Sequence, residues 1–354
     1  MSYRVDRYFI VDIKLRILDI TTIEKFDSKK MYKIYDEWPN IARKSFESKQ
    51  EPTDFQNIDH IVFAGMGGSG AIGDIFSAIL SKTSTHVTVA KGYYLPKTVT
   101  ENSVVVVSSI SGNTTETISM LEHAIKLNSK IIVFSDGGKI EEICNEKNIQ
   151  YRKIKKYHSP RASFTSFLYA MLHVLKPIIP IEENDVIESI KSMEDISNKI
   201  NSKKISKENP SIQIAEWINN SPIIYYPWGL QSVAIRFKNS LQENSKIQAV
   251  VEDVIESCHN GIVIWDKKND FQPMFIKGQE DYEKTKERWK ILEEFFSEKN
   301  IKFQKIISVS GNILTKIICL IYILDYASIY LAIKLKVDPT PVKAIEYIKN
   351  KLNK

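Results

Sequence analysis

Residues 60–70 read HIVFAGMGGSG, and residues 103–117 read SVVVVSSISGNTTET. Each stretch is a short apolar run rich in β-branched residues. Each ends in small or hydroxyl-bearing residues and passes into a segment with helical spacing. Uninterrupted apolar strands of this kind belong to parallel sheets buried on both faces. The loop after such a strand lies at the carboxyl edge of the sheet, where ligands of open α/β folds bind.

Working outward, strands are predicted at 60–65, 86–90, 103–108, 130–135 and 150–154, with helices at 71–80, 114–127 and 139–147. Residues 32–46 have helical spacing with a break at Pro39, and residues 1–20 alternate partly as a strand would. Residues 181–210 are charged and helix-like, ending at Pro210. The programme then recurs. Strand 223–226 turns at Pro227-Trp228-Gly229 into a helix over 230–242. Further strands are expected at 247–251, 262–265, 274–276 and 303–308, and helices at 281–299 and 312–334. The fold class is therefore α/β, with two doubly wound parallel sheets of about five strands each and helical segments at both ends. The expected division is a helical segment over 1–56, a first α/β unit over 57–180, a second over 181–311, and a C-terminal helix and tail over 312–354.

Composition removes several classes. The 354 residues are 43% hydrophobic and 26% charged, with a net charge of +6, ordinary for a globular protein and no nucleic-acid signature. Three cysteines without a CxxC pair argue against a disulfide framework and for a reducing, cytoplasmic setting. Charges at Asp6, Arg7, Asp12, Lys14 and Arg16 interrupt any signal-type apolar run. Lys316 and Asp325 split the most apolar stretch into runs too short to span a bilayer, so a buried helix is expected and no membrane.

Gly65-Met66-Gly67-Gly68-Ser69-Gly70 matches G-x-G-x-x-G in a dinucleotide-loop context. Such a loop needs an acid about 20 residues on for the ribose. Residues 75–100 contain no Asp or Glu, and Lys91 and Gly92 stand where the acid belongs. The loop at 108–117 carries six hydroxyl side chains and opens a helix. Hydroxyls and backbone N–H groups at a helix start suit a dianionic phosphate. The competing reading is N-capping by Asn113 or by Ser111 with Glu116. No His/Cys/Asp cluster has metal-ligand spacing, so neither a metal nor a cofactor is expected.

At these residues the chain resembles the sugar isomerase (SIS) superfamily, in its archaeal-type bifunctional phosphoglucose/phosphomannose isomerase branch. The carrying segments are GMGGSG (65–70), SISGNTTET (109–117), PRASF (160–164), PWGLQSVAIRFKNSLQEN (227–244) and SCHNG (257–261), with DPTPVKAIEYIK (338–349) a looser match. The resemblance implies a homodimer with active sites at the subunit interface. It implies interconversion of glucose 6-phosphate and mannose 6-phosphate with fructose 6-phosphate. It assigns phosphate binding to Ser69, Ser109, Ser111 and Thr114, and close backbone approach to Gly67 and Gly68. Glu243 would be the base, Arg161 the stabiliser of the enediolate, His259 the group assisting ring opening, and Lys349 a completing lysine. Thr340 lies near a specificity threonine of the family but out of register with Lys349. The chemistry fits: moving a proton between adjacent carbons needs one carboxylate base, a fixed cation for the oxyanion, and an imidazole for ring opening.

Three alternatives compete with this reading. A sugar-phosphate-sensing regulator would carry a basic recognition helix, which residues 1–55 lack. An aminosugar-forming transferase would begin with a nucleophilic Cys, where Ser2 follows Met1. An NAD(P) oxidoreductase would need the missing ribose acid.

Overall fold

The computed structural model describes residues 18–352. The strand-like alternation read in residues 1–20 lies almost wholly outside them. Three short helices come first: α1 (Ile20–Phe26), α2 (Met31–Asp36) and α3 (Trp38–Phe46). Pro39 sits in the first turn of α3, where its missing N–H costs nothing.

The first sheet follows as β1 (His60–Ala64), α4 (Gly67–Leu80), β2 (His86–Ala90), β3 (Ser103–Ser109), α5 (Thr115–Lys126), β4 (Lys130–Ser135), α6 (Lys139–Lys147) and β5 (Gln150–Lys153). All strands are parallel, in the order β2-β1-β3-β4-β5. Three helices lead on: α7 (Phe164–Val174), which the pattern did not single out, α8 (Glu183–Ile200) and α9 (Pro210–Trp217). Pro210 opens α9 rather than closing a helix, because Asn209 caps it through Ser211 N and Ile212 N.

The second sheet holds β6 (Pro222–Tyr226), α10 (Gln231–Ser240), β7 (Val250–Asp253), α11 (Val254–Ser257), β8 (Gln272–Lys277), α12 (Glu283–Glu298) and β9 (Gln304–Ile307). Its order, β7-β6-β8-β9, repeats that of the first sheet with one strand fewer. Of the five strands expected in this half, 262–265 is the one that does not form. It forms a 3-10 helix, Gly261–Asp266, instead of a strand. Only Trp265 of that run is buried, donating to the Tyr225 hydroxyl at 2.9 Å, while Val263 and Ile264 face outward. A four-residue apolar run carries no periodicity to choose between the two structures. The chain ends in α13 (Ile313–Lys334) and α14 (Lys343–Leu352).

The period-two alternation of the strands sorts their side chains onto two buried faces. Ile61, Phe63, Val104 and Val106 join a large shared core, and Val62, Ala64, Val105 and Val107 join a smaller outer one. In the second sheet Ile224, Met274 and Ile276 enter the same shared core, while Ile223, Tyr225 and Phe275 pack outward. One core therefore spans both sheets. α13 runs through it, packed on α8, α9 and α10. By length and composition α13 could cross a bilayer, but 89% of its apolar window is buried inside the protein, so its hydrophobicity is spent on the core.

Candidate active site

β1 and β3 are neighbours at the point where strand order reverses, so their carboxyl-end loops lie side by side. Gly67 takes a left-handed φ of 54° at the start of α4, and neither α4 nor α5 has a side-chain cap. Thr114 occupies the N-cap position of α5, yet its hydroxyl bonds to Ser109 Oγ at 3.4 Å and not to the helix. Asn113 Oδ1 accepts from Lys139 N, and Ser111 Oγ accepts from Asn113 N. None of the side chains expected to cap α5 does so. Its first-turn N–H groups stay open beside Ser109 and Thr114, which is what an anion site requires. Gly112, at φ 68°, packs so tightly that a Cβ would overlap the Gly137 carbonyl. Lys91, where a dinucleotide acid would stand, pairs with Asp74 of α4 at 2.6 Å.

The Pro160–Arg161 turn comes in beside the glycine loop; a Cβ on Gly68 would be 3.8 Å from the Pro160 carbonyl oxygen. Arg161 is 6% exposed. Its Nη1 meets Glu243 Oε2 at 3.2 Å, and its Nη2 donates to the carbonyls of Pro339 (2.6 Å) and Thr340 (2.9 Å). Glu243 does not end an α-helix. After Ser240, α10 widens into a π-helical turn, Leu241–Ser245, closed by Lys246 N on the Leu241 carbonyl with Lys246 at φ 60°. Such turns recur at functional sites because one extra residue re-aims the side chains. Asn244 and Ser245 anchor this one on α13 through Ser328.

Glu243 and Gly67 line one cavity of about 1000 Å³, walled also by Lys246, Asp338 and Lys343. Burial of the Lys246 ammonium, and then the nearby Arg161 charge, push its pKa below the ordinary lysine value, with Asp338 and Glu243 opposing. Glu243 Oε1 makes no hydrogen bond among the described residues, so one oxygen is held and the other is open.

Two of the residues assigned by resemblance lie apart. His259 is exposed in the turn after α11, and its ring makes no hydrogen bond among the described residues. Lys349 lies on α14, which buries none of its residues. Asn244, Lys246, Arg236 and Asp325 were given no role from the sequence. A signal was present for Asp325, the one charge within the apolar run 317–333.

The SIS domain model matches residues 54–177, and the model of the bacterial phospho-glucose isomerase C-terminal SIS domain matches residues 207–352. A bifunctional phosphoglucose/phosphomannose isomerase from Caldicellulosiruptor bescii is 32% identical over 84% of this chain and 90% of its own length. The chain belongs to the bifunctional phosphoglucose/phosphomannose isomerase family. A second member, from Aquifex aeolicus, is 29% identical over 90% of this chain and 95% of its own. Among solved structures, the hypothetical protein TT0462 from Thermus thermophilus shares the fold at a TM-score of 0.69. It is 11% identical and covers 94% of this chain and 89% of its own. In this family member the two matched segments coincide with the two sheets, and the Arg161–Glu243 pair comes from one segment each.

Proposed function

We propose that the protein is an aldose–ketose isomerase that interconverts glucose 6-phosphate and mannose 6-phosphate with fructose 6-phosphate. The observation that carries this reading is the contact of Arg161 with Glu243, which itself lines a cavity shared with Gly67 of the glycine loop. The open N-termini of α4 and α5, with Ser69, Ser109, Ser111 and Thr114, hold the phosphate. Binding energy from that remote group fixes the reacting carbons against Glu243.

Glu243 removes the proton from C2 of the open-chain aldose. The C–H electron pair forms the C1–C2 double bond of the cis-enediolate, and negative charge gathers on the carbonyl oxygen. Arg161 faces that charge with a cation already oriented before substrate arrives. The hydroxyl proton on O2 passes to O1, and the protonated Glu243 returns its proton to C1 as the C2 carbonyl forms, which yields the ketose and restores the carboxylate. The enediolate has no stereocentre at C2, so both aldose epimers pass through it, and dual specificity needs only that C2 can be reprotonated from either face.

His259 carries the imidazole that ring opening calls for. Its exposed position, away from the Glu243 cavity of its own chain, supports a homodimer in which a second copy brings it to the site. The free thiols of Cys144, Cys258 and Cys319 fit a cytoplasmic protein. The test is purified protein given fructose 6-phosphate. Both aldose 6-phosphates should accumulate, and Glu243→Gln should abolish this; equal product from the two proteins would refute the assignment.

A further inference from the structure

Behind Arg161 the buried side chains form a closed circuit. Arg161 Nε donates to Asn244 Oδ1 at 2.6 Å. Asn244 Nδ2 donates to Ser328 Oγ at 2.8 Å, and Ser328 Oγ donates to the Asp325 carbonyl at 2.6 Å. The Asp325 carboxylate accepts from Arg236 Nη2 at 2.6 Å, and the same Nη2 donates to the Arg161 carbonyl at 3.1 Å. The circuit starts and finishes on Arg161. Asn244, Ser328 and Asp325 are wholly buried, Arg236 is 3% exposed, and none of the four lines the Glu243 cavity.

We propose that Asn244 is a positioning residue that sets the geometry of both charges of the active site. This rests on the isomerase reading above. A guanidinium is a planar fork, so one fixed acceptor at Nε decides where Nη1 and Nη2 point. With Asn244 Oδ1 on Nε, Nη1 faces Glu243 and Nη2 faces the carbonyls of Pro339 and Thr340. Asn244 is also the next residue to Glu243, so its anchorage on Ser328 fixes the π-helical turn itself.

The chemistry selects an amide at this position. Arg161 Nε can only donate, so it needs the amide oxygen. Ser328 has spent its single hydrogen on the Asp325 carbonyl, so toward Asn244 it can only accept, and it needs the amide nitrogen. A carboxylate would lose the second bond. It would also share the Arg161 charge that the enediolate requires.

The experiment compares Asn244→Asp and Ser328→Ala with wild type for kcat and KM on fructose 6-phosphate, alongside thermal unfolding. Asn244→Asp should lower kcat by about 30- to 100-fold, the scale of a small misplacement of catalytic groups. KM should stay within about 3-fold, because the phosphate loops lie outside the circuit. Ser328→Ala, which keeps Asn244 and removes the hydroxyl that anchors it, should lower kcat less and also spare KM. It decides the matter if Asn244→Asp does not fold. A folded Asn244→Asp with wild-type kcat, or a rise in KM in place of the fall in kcat, overturns the positioning role while leaving the isomerase reading standing. A wild-type protein without isomerase activity overturns both.

Discussion

Arg161 connects three segments that are distant in sequence. It holds Asn244 and Glu243 of the π-helical turn and the Pro339–Thr340 tail, while its own carbonyl is held by Arg236. A lysine would keep the charge but not the fork. Arg161→Lys should therefore lower kcat by about 10²-fold, the cost of losing one aligned oxyanion donor, as read from steady-state kinetics. A different signature is expected at the serine-rich loop, the proposed phosphate site. Thr114→Val removes a hydroxyl that no helix cap uses, and one hydrogen bond to a charged group is worth about 1.5–3 kcal/mol. Its kcat/KM should fall by about tenfold or more, chiefly through KM. The glycine loop and the serine-rich loop were legible from residue type because their spacing follows directly from strand to turn to helix. Asn244 was quoted within a motif but given no role, because its two partners lie 83 and 84 positions away in the chain.

At the scale of elements, α13 has most to explain. Asp325 reads in the sequence as an interruption of an apolar run. In the structure it is the counter-ion of Arg236, whose guanidinium lies over the Phe164 ring. Removing one partner of a buried pair leaves the other charge uncompensated, at about 3–5 kcal/mol. Asp325→Asn should show that loss in urea denaturation. Tyr322, Tyr326 and Tyr330 form a stripe along the same helix. Their hydroxyls bond the Tyr35 carbonyl, the Asp36 carboxylate and the Ile200 carbonyl, which ties α2 and α8 to α13. The 3-10 helix at Gly261–Asp266 shows the opposite case. There the run reads as strand by composition, yet its one buried side chain, Trp265, packs inward and donates to the Tyr225 hydroxyl while its neighbours stay outside.

The whole molecule shares one core across two sheets, so its unfolding should be cooperative rather than split between halves. The buried tyrosines of all three cores also fix the pH response. Burial raises the pKa of Tyr35, Tyr169, Tyr225, Tyr322, Tyr326 and Tyr330, and it takes Tyr151 to about 12. In the unfolded chain these phenols ionise near pH 10. Above that pH the unfolded state binds fewer protons than the folded one, so stability falls as pH rises. The stabilisation is complete below about pH 10 and is lost as pH climbs toward the folded-state values. A urea midpoint that stays level from about pH 9 to about pH 11.5 would contradict this.

The sequence by itself determined the two parallel sheets, most of their elements in chain order, with 262–265 and α7 the exceptions, and the two loops at the carboxyl edge of the first sheet. Strand period, glycine clustering and hydroxyl clustering are local properties, and local sterics read them without the rest of the chain. It also supplied the family's motif residues one by one. Only the tertiary structure decided which of them meet. It set Arg161 against Glu243, fixed both through Asn244, and left His259 and Lys349 outside that contact. It also turned a helix end into a π-helical turn and an apparent flaw in α13 into a buried ion pair. These outcomes depend on burial and on partners far apart along the chain, and pattern along one dimension does not encode that distance.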